Sequence, residues 1–336
     1  MMVITDNGFR GYDLIGDIHG CAHTLERLLH QMGYRKRQGV YEHPRRQAVF
    51  LGDIIDRGPR IREALHLVRD MVDRGSARIV MGNHEYNALG YCTRARPGSR
   101  QTYVREHTER HNRLIRETLE QFEHHDNEWH EFLDWFYEIP LFLDLEEFRV
   151  VHACWDHELI RQFHEHYPND CMDEDFLHAA MAESSFAGKV ADRLLRGTDM
   201  RLPDGESITS KDGFTRHFFR TKFWAQNPQT YGDIVFQPDP LPKHIARRPL
   251  PESARRQLLS YKRHEPPVFV GHYWMMGKPE PITHNVACLD YSAVKYGKLV
   301  AYRMDGEQSL RQENFVWVNV DRPEQPEDRQ LDEDES

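Results

Sequence analysis

No run of the chain approaches the roughly 18 apolar residues of a bilayer-spanning helix, so nothing in it reads as a membrane anchor. No charged-then-apolar signal segment precedes the first strand-like run, and the expected compartment is the cytoplasm. Cysteine is scarce. Cys21, Cys92, Cys154, Cys171 and Cys288 are scattered, odd in number and without a CxxC spacing. This excludes a disulfide framework and fits reduced thiols. Positive charge is also short: 44 Lys and Arg stand against 54 Asp and Glu, a formal net charge of −10. Such a chain is a poor sink for nucleic acid. Much of the acidic excess lies after Val320, where Asp321 to Ser336 reads as a solvated, disordered tail. No internal repeat is present, and the chain is expected to form one domain over 1–320.

Three motifs stand in order within the first 85 residues. They are Gly16-Asp17-Ile18-His19-Gly20, Gly52-Asp53-Ile54-Ile55-Asp56-Arg57-Gly58 and Gly82-Asn83-His84-Glu85. Each follows a short apolar run, at Tyr12 to Ile15, Ala48 to Leu51 and Arg78 to Met81. Between these runs, His23 to Met32 and Ile61 to Val72 carry apolar residues at helical spacing. Alternating strands and helices predict βαβ units and a parallel sheet. Right-handed crossovers place the carboxyl ends of all such strands on one edge, so the three motifs converge.

Further on, Tyr103 to about Phe136 is polar, His-rich and helical in pattern, and its histidines read as a solvated face. Val150-Val151 is a short strand with His152 at its end, and Val268 to Val270 another, ending at Gly271-His272. Residues 156–265 are irregular and read as an inserted cap. Its aromatic residues Phe218, Phe219, Phe223 and Trp224 are expected in the cap's own core. Val286 to Leu289, Leu299 to Tyr302 and Phe315 to Val320 predict antiparallel strands of a second sheet.

The residue types at these strand ends suit a pair of divalent ions. Asp53 sits at the central motif and can bridge two cations. Asp17 and His19 are two apart and can reach one ion, Asn83 offers an amide oxygen, and His152 and His272 offer imidazole nitrogen. Mixed N and O donors suit Mn²⁺, Fe, Zn²⁺ or Ni²⁺ better than Ca²⁺, with Mn²⁺ the leading expectation. Two ions about 3.5–4 Å apart would activate a shared hydroxide and clamp a phosphate. His84 could protonate a leaving oxygen, with Asp56 orienting its imidazole, and Arg57 offers a planar fork for phosphate oxygens.

These motifs resemble those of the calcineurin-like metallophosphoesterases, and within them the phosphoprotein phosphatases, whose pattern is GDxHG, GDxxDRG, GNHE and two separated histidines. The resemblance covers 12–85, His152 and Gly271-His272. It implies an α/β fold, a two-sheet β-sandwich flanked by helices with an inserted cap. Asp17, His19 and Asp53 would hold one metal, and Asp53, Asn83, His152 and His272 the other. His84 with Asp56 would be the acid pair and Arg57 a phosphate ligand.

Two departures matter. The wider superfamily often ends its last motif with GHxH, but here Gly271-His272 is followed by Tyr273-Trp274, as in the narrower family that lacks the second histidine. A second phosphate-binding arginine is expected between the last two histidines; Arg220 is assigned, with Arg216 and Arg196 as competitors. Tyr273 and Trp274 read as walls of the site. The cap matches no segment of the eukaryotic protein phosphatases, and the whole looks more like bacterial members, among them the phosphatase part of bacterial polynucleotide kinase-phosphatases and the diadenosine-tetraphosphatase relatives.

The resemblance implies phosphoester hydrolysis by direct attack of hydroxide at phosphorus, without a covalent phosphoenzyme. The leading expectation is a phosphomonoesterase acting on a phosphoprotein, a nucleotide or a small phosphoester. The alternative is a dinucleoside polyphosphate hydrolase, which uses the same centre with a wider, more basic cleft. A non-catalytic phosphate-binding protein is disfavoured because every expected ligand is present.

Overall fold

The computed structural model describes residues 8–209, 215–236, 241–294 and 297–320. The acidic stretch expected to be disordered therefore lies outside the described residues. The first unit runs β1 (Gly11–Ile15), α1 (Ala22–Met32), β2 (Arg35–Arg37), β3 (Val40–Glu42), β4 (Arg46–Phe50), α2 (Ile61–Asp73) and β5 (Ala77–Ile79). Then come α3 (Asn83–Cys92), α4 (Glu109–Phe122), α5 (Asp126–Phe136), β6 (Phe142–Asp144) and β7 (Arg149–Val151). The cap region contains α6 (His157–His166), α7 (Glu174–Ala179), α8 (Phe186–Arg196), β8 (Thr198–Arg201), β9 (Ile208–Thr209), β10 (Thr215–Arg216), β11 (Phe218–Thr221) and three short helices. Four strands close the fold: β12 (Val268–Val270), β13 (Val286–Cys288), β14 (Lys298–Met304) and β15 (Phe315–Asn319).

Among the described residues, the two larger sheets have the orders β15-β14-β1-β4-β5 and β13-β12-β7-β6, beside three two-stranded pairs, β2-β3, β8-β11 and β9-β10. In the first, β1, β4 and β5 are parallel. In the second, β7, β12 and β13 are parallel. Strand alternation sends Tyr12, Leu14, Val49 and Val300 to the layer between the sheets, where they meet Phe148, Val150 and Phe269. Ile15, Ala48 and Phe50 face the other way and pack under Leu25, Leu28 and Leu29 of α1 and Leu65 and Val68 of α2. Both faces of the first sheet are thus covered, which explains its near-continuous apolar strands.

The predicted helical stretch from Tyr103 to Phe136 is two helices, α4 and α5, and Tyr103 to Glu106 is not helical. The closing strands also differ from expectation. β14 and β15 are antiparallel but join the first sheet, β14 beside β1. Leu299 and Ala301 face the helices while Val300 and Tyr302 face the other sheet, and a strand apolar on both faces belongs inside a doubly covered sheet. β13 is in the second sheet but parallel to β12, because residues 271–285 form a crossover long enough to return the chain in the same direction.

Part of the cap has a core of its own, formed by Leu202, Phe219, Tyr231, Ile234, Leu241, Ile245 and Leu250. Phe223 and Trp224 instead join the main core, and Phe218 is half exposed. The five cysteines are unpaired with one another. Among the described residues no helix is long and apolar enough to cross a membrane.

Behind the first sheet, the fully buried carboxylate of Asp13 pairs with Arg46 at 2.8 Å and Arg303 at 3.1 Å. Arg46 also donates to the carbonyls of Tyr12 and Met304, so the pair ties β1, β4 and β14 together. Removing one member of such a pair strands its partners. Asp13→Ala is expected to cost about 3 kcal/mol in urea unfolding, and a loss below half of that would show the cluster to be a surface-like pair.

Candidate metal centre

The site lies where both sheets end. Asp17 and His19 follow β1, Asp53 follows β4, Asn83 opens α3 after β5, His152 follows β7 and His272 follows β12. All six side chains are buried. Several of these residues turn sharply to face one another: His19, Asp53, Asp56, Arg57, His272 and Trp274 have φ between 44° and 68°. Non-glycine residues rarely adopt that conformation, and such strain concentrates at functional sites.

Asp53 is the hub. Its Oδ2 lies 3.4 Å from His152 Nε2, 3.7 Å from His19 Nε2 and 4.0 Å from His84 Nε2. Its Oδ1 accepts the His84 backbone N–H at 3.0 Å, in the first turn of α3, where the helix dipole favours an anion. Asn83 Oδ1 sits 2.9 Å from His152 Nε2 and 2.8 Å from His272 Nδ1. His19 and His152 hold Nδ1 against the carbonyls of Ile55 and Leu51, at 2.8 and 2.7 Å. Those bonds fix the tautomer that turns Nε2 inward as a donor to a metal. Among the described residues, two sets have potential ligand atoms that all lie within 4.8 Å of one another: Asp17, Asp53 and His152, and His19, Asp53 and His84. Asp53 belongs to both, as a bridging ligand would. Asp17 falls in the group that holds His152.

The electrostatics favour cations here. Burial, with the nearby Asp290 carboxylate, holds Asp17 well above the usual carboxylate range. Burial also penalises Asp53, but the surrounding His152, His84 and His19 outweigh it and hold Asp53 well below that range. His152 is disfavoured as a cation by burial, yet Asp53 and then Asp17 raise it to about 10. His19 is pushed down to about 3 by burial, Arg57 and His84. Asp17 accepts the His272 N–H through Oδ2 at 3.0 Å, while its buried Oδ1 finds no hydrogen-bond partner among the described residues. An orphaned carboxylate oxygen beside a second carboxylate, with imidazole nitrogens around it, fits a divalent cation.

Next to this cluster, His84 Nδ1 meets Asp56 Oδ2 at 2.5 Å. Thr118 of α4 holds Asp56 in turn, accepting its backbone N–H at 3.0 Å and donating to Oδ1. Arg57 donates to His19 Nε2 and His84 Nε2, each at 3.2 Å, and its guanidinium lies 4.9 Å from the centre of the Trp274 ring. Trp274 thus lies against Arg57 at the edge of the cluster.

Tyr273 is not a wall. Its ring is 1% exposed and packs among Phe223, Trp224 and Phe236, so it joins the cap to the sheet beneath the centre. Arg220 lies over that ring at 5.7 Å and lines a cavity of about 660 Å³ that opens on Asn83 and His272. Its competitors Arg196 and Arg216 line the same cavity, so position in the cleft does not single out Arg220.

Sequence reasoning missed several supports. Glu85, fully buried, accepts the N–H groups of Asp53, Ile54, Ile55 and Gly82. Its place in the third motif was the available signal. Asp290 anchors the Trp274 and Ser292 N–H groups at 2.9 and 2.7 Å. Thr118 lies 62 residues from Asp56 and carries no sequence signal. His111, expected on a solvated face, lines the cleft together with Arg105 and Arg110.

This fold and this donor set define the class, a metallohydrolase of the α/β type. Residues 12–200 match the family described as calcineurin-like phosphoesterase, and the chain belongs to it. Among curated proteins, it is 34% identical over 142 residues to asymmetrical bis(5'-nucleosyl)-tetraphosphatase PrpE of Oceanobacillus iheyensis, covering 42% of this chain and 54% of that protein. It is 45% identical over 74 residues to the protein of the same name from Halalkalibacterium halodurans, covering 22% and 30%. The chain thus spans about half or less of the length of these relatives. A protein serine/threonine phosphatase structure from Saccharomyces cerevisiae is 16% identical over 92% of this chain and 79% of that one, with a TM-score of 0.48.

Gly271 approaches Asp17 closely: a Cβ there would stand 2.1 Å from Asp17 Oδ1 and meets no backbone atom that near. Gly271→Ala is expected to push that carboxylate aside and weaken binding of a cation there about tenfold or more. Metal titration followed by elemental analysis checks this; an affinity like that of the parent would mean that Asp17 is not a ligand.

Proposed function

We propose that the chain hydrolyses dinucleoside polyphosphates at a two-cation centre formed by Asp17, His19, Asp53, Asn83, His152 and His272. The observation that carries this reading is the cleft. It holds about 660 Å³ beside Asn83 and His272, and Arg105, Arg110, Arg196, Arg216 and Arg220 line it against the acids Glu183, Asp192 and Asp199. A phosphomonoester at the cations would occupy only the end of that cleft beside Asn83 and His272, whereas a polyphosphate chain would run along its five arginines. The half-exposed Phe218 ring on its lining offers a surface on which a base could stack. The tetraphosphatase activity for which the PrpE relatives are named points the same way.

Bound divalent cations, Mn²⁺ being our choice for this donor set, would supply Lewis-acid polarisation of a phosphoryl oxygen and an activated water. The remaining work falls to side chains. Arg57 turns its fork from the two imidazoles to the phosphate oxygens, with Trp274 beneath it. Freed of Arg57, His84 Nε2 takes a proton from water, Asp56 stabilises the resulting imidazolium through Nδ1, and Nε2 then gives that proton to the leaving oxygen. Thr118 keeps Asp56 aligned.

The two substrate classes separate in one assay. With Mn²⁺ present, kcat/KM for diadenosine tetraphosphate is expected to exceed that for p-nitrophenyl phosphate and a phosphoserine peptide by about tenfold or more. Asp53→Asn should abolish all turnover. A preference for the phosphoserine peptide would overturn the proposal in favour of a phosphoprotein phosphatase.

A further inference from the structure

Beyond the metals, one amide organises the cleft. Asn87 lies on α3 one helical turn past Asn83, about 6 Å along the helix axis. Its Oδ1 accepts from Arg105 Nη1 at 2.8 Å and from Arg196 Nη2 at 2.9 Å. The two arginines come from distant parts of the chain. Arg105 stands between α3 and α4, its backbone N–H held by the Gly90 carbonyl at 2.8 Å. Arg196 ends α8, where its guanidinium lies 5.7 Å from the centre of the Tyr86 ring and 3.8 Å from Asp192.

The oxygen the two arginines share is neutral, and Arg196 also has the Asp192 carboxylate at 3.8 Å. Two guanidinium groups bound to one oxygen are close enough to repel, and an anion set against both would relieve that repulsion. Asn87, Arg105 and Arg196 line the same cavity as Asn83 and His272. The pair therefore lies along the path of a phosphate chain whose first phosphate rests on the cations. Asn87 fixes the separation of the two guanidinium groups and gives the subsite its rigidity.

We propose that Arg105 and Arg196, bracketed on the Asn87 amide, form a subsite for the phosphates beyond the one at the metals, so that the enzyme selects for phosphate-chain length. This rests on the reading of the cleft as a polyphosphate site. It predicts that chain length is recognised without any nucleoside.

The test is calorimetric titration of the Mn²⁺-loaded protein, at buffered free Mn²⁺, with inorganic tripolyphosphate and with orthophosphate. The parent is expected to bind tripolyphosphate at least about tenfold more tightly. Arg105→Gln and Arg196→Gln should each shrink that ratio to about threefold or less. Arg247→Gln, which removes the same charge from an exposed cap position, should leave it intact. Equal affinities in the parent, or an unchanged ratio in both cleft variants, would overturn the subsite. Turnover of diadenosine tetraphosphate is read in parallel. Chain-length selection lost in the variants, with no such turnover by the parent, keeps the subsite and sinks the functional reading. Turnover with an unchanged ratio does the reverse.

Discussion

One buried carboxylate holds the ends of two strands together. Glu85 receives the N–H groups of Asp53 at 2.8 Å, Ile54 at 2.7 Å, Ile55 at 3.3 Å and Gly82 at 3.1 Å. These groups belong to the turn after β4 and to the start of α3, which no strand or helix ladder would satisfy. Burial raises the carboxyl from its ordinary range, and the backbone N–H bonds work against that rise. With this turn fixed, Asp53 can hold φ at 51° and aim its carboxylate between three imidazoles. Gly82 is required at the same junction, since a Cβ there would stand 2.3 Å from Asp53 N and Oδ1. The candidate metal centre is built on this arrangement.

The donor cluster was legible in the sequence because its residues occupy short local motifs. Glycines and ligands recur at fixed offsets after apolar runs, and the βαβ connections bring those runs together without long-range information. His152 and His272 could be placed because each ends such a run. What failed to show were contacts set by distant packing. Thr118 reaches Asp56 only because α4 lies against the site. Tyr273 reads as a wall because it follows a candidate ligand, yet it is buried against Phe223, Trp224 and Phe236. The sheet membership of β14 was misread because an apolar run alone does not tell which open strand edge it will join.

The cap region shows where local reasoning ends. Its sequence lacks a clear period, and its small core of Leu202, Ile234, Ile245 and Leu250 rests on contacts among short elements. Yet it delivers Arg196 from α8, and Arg216, Phe218 and Arg220 from β10 and β11, to the cleft. The chemistry and the selectivity of the site thus come from different parts of the fold. Rigid strand ends hold the candidate ligands, and the cap with the α3–α4 segment supplies the basic walls. Enzymes sharing one centre can differ in substrate by changing those walls alone.

The central claim is that Asp53 bridges two cations. Anomalous diffraction from crystals grown with Mn²⁺ tests it most directly. A bridging Asp53 gives two anomalous peaks about 3.5–4 Å apart, both within bonding distance of its carboxylate. A single peak, or two peaks of which only one touches Asp53, would contradict it.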